Sequence, residues 1–353
     1  MAKPFLRIAT ILALAVAAAA AAAAQQPRVS NGKVTSQAAG APFQQSFRTL
    51  VAAQPDVAWI AYGVPVVDGE RIMCCFDGGT TFSDGTVVSS DGRSCCRACR
   101  LEPAADGTSM ATRSRSGAGA TVRLQATERM TVLFRVAARE IERVRVFSAD
   151  CELDAGGRQI IWLDGVRPAD SIALLESLTA GDRRSDRIVD SVVSAIALHG
   201  DPAADAALER LAAVSQPEST RKKVTFWLGN ARGARGLAAL KRILAEDSSV
   251  EVQKAAVFGV SQSKEAAAFD TLAALTRDHG NARIRSEAVF WVAHKDDPRA
   301  AKIVLDALER DPSPEVRKKA VFALSQLPKY WPAVRQGALN SAAARSTASS
   351  QFR

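Results

Sequence analysis

The stretch VRKKAVFALSQ, Val316 to Gln326, is the last of four related copies in this chain. Earlier copies read TRKKVTFWLGN from Thr220, VQKAAVFGVSQ from Val252 and IRSEAVFWVAH from Ile284, at one constant interval, with a weaker copy, IVDSVVSAIAL, from Ile188. A fixed period of this size marks a solenoid, in which each unit packs only on its neighbours. With the first residue of each copy as slot 0, Val316, Ala320 and Leu324 occupy slots 0, +4 and +8, one stripe of an α-helix. Val252, Ala256 and Val260, then Ile284, Ala288 and Val292, fill the same slots. Partner helices are predicted between the copies, near 202–214, 234–245, 265–276 and 298–309. Asp201-Pro202 and Asp297-Pro298 supply the N-cap and first-turn proline that start such helices. Two helices per repeat make an α-solenoid.

Slot +1 is basic in three copies, as Arg221, Arg285 and Arg317. With Asp311-Pro-Ser-Pro-Glu-Val316-Arg317 ahead of the last helix, the pattern resembles the HEAT-repeat family over about 182–331. The resemblance implies an Asp–Arg hydrogen-bonded ladder between successive repeats. Gln253 stands where that pattern has Arg, and His279 and Ser215 stand where it has Asp, so an unbroken ladder is not expected. Such arrays hold diverse partners, and the resemblance specifies fold rather than activity.

Slot +6 departs from the family's usual polar residue: it holds Phe226, Phe258, Phe290 and Phe322. At about 100° per residue it falls at about 240°, far from the core stripe centred at about 40°. Slot +2, at about 200°, holds Lys222, Lys254, Ser286 and Lys318, so each of these lysines sits four residues from a Phe. Two arrangements fit: rings packed between adjacent repeats, or an exposed strip roughly 30 Å long that anchors a peptide or an acidic partner. Slot +7 alternates Trp227, Gly259, Trp291 and Ala323, the large–small pattern of interdigitated packing, which places both tryptophans in the core.

The chain divides before the repeats. Lys3 and Arg7, then an apolar stretch from Ile8 to Ala24, read as a secretory signal cleaved near Ala24, and the stretch is short for a membrane anchor. Losing Lys3 and Arg7 lowers the formal net charge from +9 to +7. The expected order is a signal at 1–24, a flexible segment at 25–42, a β-rich cysteine-containing domain at 43–167, HEAT-like helical repeats at 168–336 and a disordered tail at 337–353. Export to the periplasm or the extracellular medium follows. Strand-like runs at 57–65, 121–126, 131–136, 141–147 and 159–163 suggest an antiparallel sheet with irregular insertions, with a hairpin at 137–140.

All six cysteines, Cys74, Cys75, Cys95, Cys96, Cys99 and Cys151, fall in that domain. An even number in an exported chain favours disulfides. Adjacent Cα atoms lie only about 3.8 Å apart, so Cys74–Cys75 and Cys95–Cys96 are poor partners for one another. The expected staples join the Cys74/Cys75 segment to the Cys95–Cys99 loop, with Cys151 fastening a later strand. The competing reading is a thiol-redox or metal-dependent activity centred on Cys96-Arg-Ala-Cys99, drawing on C-x-x-C spacing.

No catalytic constellation is legible. G-x-S-x-G, H-E-x-x-H, Walker A and G-x-G-x-x-G elements are all missing from the sequence. His199, His279 and His294 have no second His at ligand spacing, and Asp150, Glu152 and Asp154 fit a solvated strand end. The Arg-Lys-Lys triplets at 221–223 and 317–319 would suit phosphates, but export argues against nucleic acid. The sequence therefore predicts a non-enzymatic exported scaffold without cofactor or metal, binding a protein or peptide through the Phe/Lys face.

Overall fold

The computed structural model describes residues 26–68, 82–83, 86–87, 99–102, 128–149, 152–180 and 186–327. They form two compact units, the first reaching Ala195 and including His199–Asp201, the second holding Ile196–Leu198 and everything from Pro202.

The first unit runs β1 (Val29–Ser30), β2 (Lys33–Ala38), α1 (Phe43–Ala52), β3 (Ala58–Pro65), β4 (Phe82–Ser83), β5 (Thr86–Val87), β6 (Cys99–Arg100), β7 (Arg129–Ala137), β8 (Glu140–Ser148), β9 (Leu153–Asp154), β10 (Gln159–Asp164) and α2 (Pro168–Ser177), and takes in most of α3 (Asp186–Leu198). Its main sheet has the order β2-β10-β3-β7-β8. The sheet is mixed rather than antiparallel: β10 pairs in parallel with both β2 and β3, while β3, β7 and β8 are antiparallel neighbours. The expected hairpin joins β7 to β8. Strands β1 and β2 lie within the segment expected to be flexible, and the 121–126 run lies outside the described residues.

Alternation along the strands sorts their side chains between two buried faces. Trp59, Ala61, Leu133, Phe147, Ile160 and Trp162 lie on one face, packed with Leu101, Leu153 and Ala155. Cross-strand partners Ile60 and Phe134 share the opposite face. There α1 presents Phe43, Phe47 and Val51 at four-residue spacing, with Phe47 4.9 Å from Phe134 and Phe43 6.0 Å from Tyr62 between ring centroids.

Glu102 ties the first face together: it accepts from Trp59 Nε1 at 2.8 Å and from Arg135 Nε and Nη2 at 2.9 and 3.0 Å. Burial works against its charge, yet the hydrogen bonds from Arg135 and Trp59 hold its carboxyl below the ordinary range. A depressed carboxyl stabilises the fold above its unfolded pKa, about 4.3, and that contribution is lost as pH falls through the lower folded value. Glu102→Gln is thus expected to lower the urea midpoint at pH 7 and to flatten its decline below about pH 4. A decline of the same steepness in the variant would remove Glu102 from the account.

The second unit is the repeat array. Its helices are α4 (Ala203–Ala212), α5 (Glu218–Ala231), α6 (Gly233–Glu246), α7 (Val250–Gln262), α8 (Ala267–Asp278), α9 (Ala282–Ala293), α10 (Ala300–Arg310) and α11 (Pro314–Ser325). The four copies of the repeated stretch lie in α5, α7, α9 and α11, and the helices expected between them are α4, α6, α8 and α10. Slots 0, +4 and +8 are buried in all four copies, from Thr220, Val224 and Leu228 to Val316, Ala320 and Leu324. Each large apolar side chain removed from water there contributes about 1.5–3 kcal/mol.

Slot +1 closes the turn before each helix. Arg221 Nη1 donates to the carbonyls of Val214 and Gln216, Gln253 Nε2 to those of Leu244 and Asp247, Arg285 Nη1 to those of His279 and Gly280, and Arg317 Nη1 to those of Asp311 and Pro312. Where the residue is Arg, the rest of the guanidinium can bind forward. Arg221 Nε lies 3.0 Å from Asp247 Oδ2, and Arg285 donates to both oxygens of Asp311 at 2.8 and 3.0 Å. Arg221 to Asp247 and Arg285 to Asp311 are the same step along the chain, and that step taken from Gln253 arrives at His279. Two of the three departures, Gln253 and His279, thus fall on one rung: where the cation is missing, so is the anion. The ladder alternates instead of failing at random.

Candidate partner-binding face

Helices α5, α7, α9 and α11 carry the four phenylalanines into one file. Phe226 stacks on Phe258 at 5.9 Å and 21°, and Phe290 stacks on Phe322 at 6.2 Å and 11°. Trp291 bridges the two stacks, 4.8 Å from Phe258 and 5.0 Å from Phe290. Trp227 meets Phe226 edge-on at 5.2 Å, and the His294 ring lies 4.2 Å from Phe290. The result is an unbroken run of ring contacts across four helices. Phe226, Phe258 and Phe290 are half-buried, whereas Phe322 is 51% exposed.

The sequence offered packed rings or an exposed strip; the geometry combines them, because each ring covers part of its neighbour and leaves an edge to solvent. Trp227 and Trp291, expected in the core, are half-buried members of the same surface. Slot +7 lies at about 340°, on the flank between the core stripe and the phenylalanines, and the small residues that alternate with the tryptophans there, Gly259 and Ala323, are buried. The Trp291 Nε1 donates to Glu287 at 2.8 Å, which keeps its polar edge satisfied.

The lysines are less available than their number suggests. Lys222 lies 3.5 Å from Glu218 and Lys254 lies 3.3 Å from Glu251, each pair on its own helix. Exposed pairs of this kind contribute little to stability, but they reduce the positive field over the rings. Lys318 is exposed at the α11 end. Lys319, one slot along and not singled out by its spacing, has its Nζ 5.3 Å from the centre of the Phe290 ring. His294, one helical turn beyond Phe290, borders the same rings.

Among the described residues, one further cluster of chemistry-bearing groups is buried away from solvent. Ser171 Oγ is 2.9 Å from Tyr62 Oη and 2.9 Å from His199 Nε2, a Ser–His contact the sequence did not suggest. All three side chains are fully buried, so the trio satisfies polar groups inside the first unit and offers no surface to a substrate. His279 Nδ1 accepts from the Asn281 amide ahead of α9, and His294 Nδ1 bonds the Phe290 carbonyl. Among the described residues no group of three or more His, Cys, Asp or Glu side chains could hold a metal ion. Cys74, Cys75, Cys95, Cys96 and Cys151 lie outside the described residues, and Cys99 is placed only as backbone in β6, so the staples and the thiol reading are not addressed by this geometry. The 337–353 tail and Asp150 lie outside them as well.

A family model described as HEAT repeats matches residues 269–348, a stretch that takes in α9, α10 and α11. Among solved structures, human deoxyhypusine hydroxylase in complex with glycerol is 17% identical over 45% of this chain and 76% of its own, with a TM-score of 0.28. The complex of CpcE and CpcF of phycocyanin lyase from Nostoc sp. PCC7120 is 18% identical over 43% of this chain and 97% of its own, with a TM-score of 0.34. No curated protein matches the chain.

Proposed function

Because the C-terminal half of the chain is a HEAT-repeat array, we propose that the protein is an exported, non-catalytic scaffold that holds a peptide or protein along the aromatic face of α5, α7, α9 and α11. HEAT repeats generally mediate protein interactions, and among the described residues no helix is long and apolar enough to cross a membrane. One observation carries the reading: rings from four successive repeats are in continuous contact and end in a half-exposed Phe322. Four apolar anchors in register give a partner repeated footholds, and large aromatic anchors dominate binding energy at interfaces. With Lys222 and Lys254 already paired, the anchors supply the affinity and the cations around α11 bias the choice towards an acidic partner.

Peptides selected from a random library against the mature full-length chain test this. Phe258→Glu with Phe290→Glu is expected to weaken the selected peptides by about 100-fold or more, with helicity by circular dichroism unchanged. Phe322→Ala, at an exposed position where folding is not at stake, should cost about tenfold. Peptides that bind all three forms equally would place the partner site elsewhere.

A further inference from the structure

Helix α11 presents a face that every earlier copy of the repeated helix keeps covered. Slot +5 is Thr225, Val257 and Val289 in α5, α7 and α9, each 0% exposed, whereas Val321 in α11 is 57% exposed. Slot +9 follows the same rule: Gly229, Ser261 and Ala293 are buried and Ser325 is exposed. Slots +1, +5 and +9 form one stripe between about 100° and 180°, the side on which the following repeat packs. Arg317 begins that stripe. Arg221 and Arg285 spend part of the guanidinium on the aspartate of the following repeat, but the equivalent slot beyond Arg317 is Ala343.

From this we infer that α11 docks an apolar helix of another protein carrying a carboxylate in the turn that precedes it. The array shows what such a helix looks like. Arg317-Lys318-Lys319 repeats the Arg221-Lys222-Lys223 of α5, and the helix that follows α5 on this side is α7, with Glu246, Asp247 and Glu251 at its start. The chain's own residues 328–353 contain Lys329, Arg335, Arg345 and Arg353 and no Asp or Glu, so they have no carboxylate side chain to offer Arg317. A second copy fits no better. Pairing α11 with α11 sets three cations against the same three, and the first repeat has Ser215 in the aspartate slot. This edge does not rest on the aromatic face and survives its failure.

A stapled peptide with the sequence of residues 246–262, titrated into the full-length chain by fluorescence anisotropy, is the test. Saturable one-to-one binding is expected, weakened at least tenfold by Asp247→Asn in the peptide and by Arg317→Gln or Val321→Glu in the protein. Arg317→Gln should cost nothing further once the peptide carries Asp247→Asn, the signature of a direct pair. No binding, or binding indifferent to Val321→Glu, overturns the inference. So does a wild-type dimer in sedimentation that Val321→Glu dissociates, which assigns the face to a second copy. A photo-crosslinker at position 321 that labels residues 328–353 within a single chain overturns it in favour of the protein's own segment.

Discussion

Asp311→Ala lowers the stability of the repeat array by about 3–5 kcal/mol, the cost of stranding a buried charge. Asp311 and Arg285 are each about nine-tenths buried and joined by two hydrogen bonds, at 2.8 and 3.0 Å. The Asp311 Oδ1 also accepts from the Ser313 amide at 2.8 Å, which secures the turn into α11. Removing the carboxylate leaves the Arg285 cation out of water with only the carbonyls of His279 and Gly280 as partners. Arg285→Met with Asp311→Leu should recover much of the loss, because the unpaired charge costs more than the pair contributes. The hydrogen bond from Arg285 holds the Asp311 carboxyl below its usual range, ahead of the opposing effect of burial. Its stabilisation is therefore complete above the unfolded value of about 3.9 and lost as pH falls through the folded one, and Asp311→Asn should erase that acid-dependent part. A repeat array need not unfold in one step, so hydrogen exchange of the α9–α11 amides is the readout alongside urea unfolding. A loss under about 1 kcal/mol would show that the pair is well solvated.

Gly229→Ala and Gly259→Ala should each be destabilising where a helix glycine would ordinarily be improved by Ala, a gain of about 1 kcal/mol. A Cβ at Gly229 would stand 1.9 Å from the Gly259 carbonyl oxygen, and one at Gly259 would stand 2.4 Å from the Thr225 oxygen and 2.9 Å from Leu240 Cδ2. The obstacles at both positions include backbone, so α5 and α7 must separate, at about 1–3 kcal/mol or more. The same separation would part the Phe226–Phe258 stack, and peptide binding should fall together with the melting temperature. Gly280→Ala, whose Cβ would meet nothing within 4 Å, is the control, expected to be neutral or slightly stabilising. Equal melting temperatures for all three variants would mean that α5 and α7 slide apart at no cost.

The repeats were legible because a helix in a solenoid meets the same surroundings once in every unit, so slots 0, +4 and +8 state the core directly. Strands β3, β7, β8 and β10 were legible from alternation and branched residues, but their order was not: the parallel pairing of β10 with β2 and β3 joins segments far apart in the chain. Strand β2, Lys33–Ala38, is an edge strand with mostly exposed side chains, so its polarity resembles that of a loose segment. Helix α1 has a sequence signal of its own, Phe43, Phe47 and Val51 at helical spacing, but it is short and sits at the edge of a strand-rich stretch. The aromatic file was half legible. Period placed the four phenylalanines on one face, but Trp291, which joins their two stacks, belongs to a slot that alternates with Gly and Ala and so looked like core.

Units that share one core pattern invite an error of assembly, the docking of one repeat onto the next but one. The alternating rung makes that error costly. If α9 took the place of α7 beside α5, Arg221 would face His279 and Asp247 would be left with no cation to receive it. Charge as well as shape thus separates the adjacent unit from the next but one, through the penalty for an unmatched buried ion. The rung without an ion pair, Gln253 opposite His279, is part of that code: a uniform ladder would let any repeat follow any other.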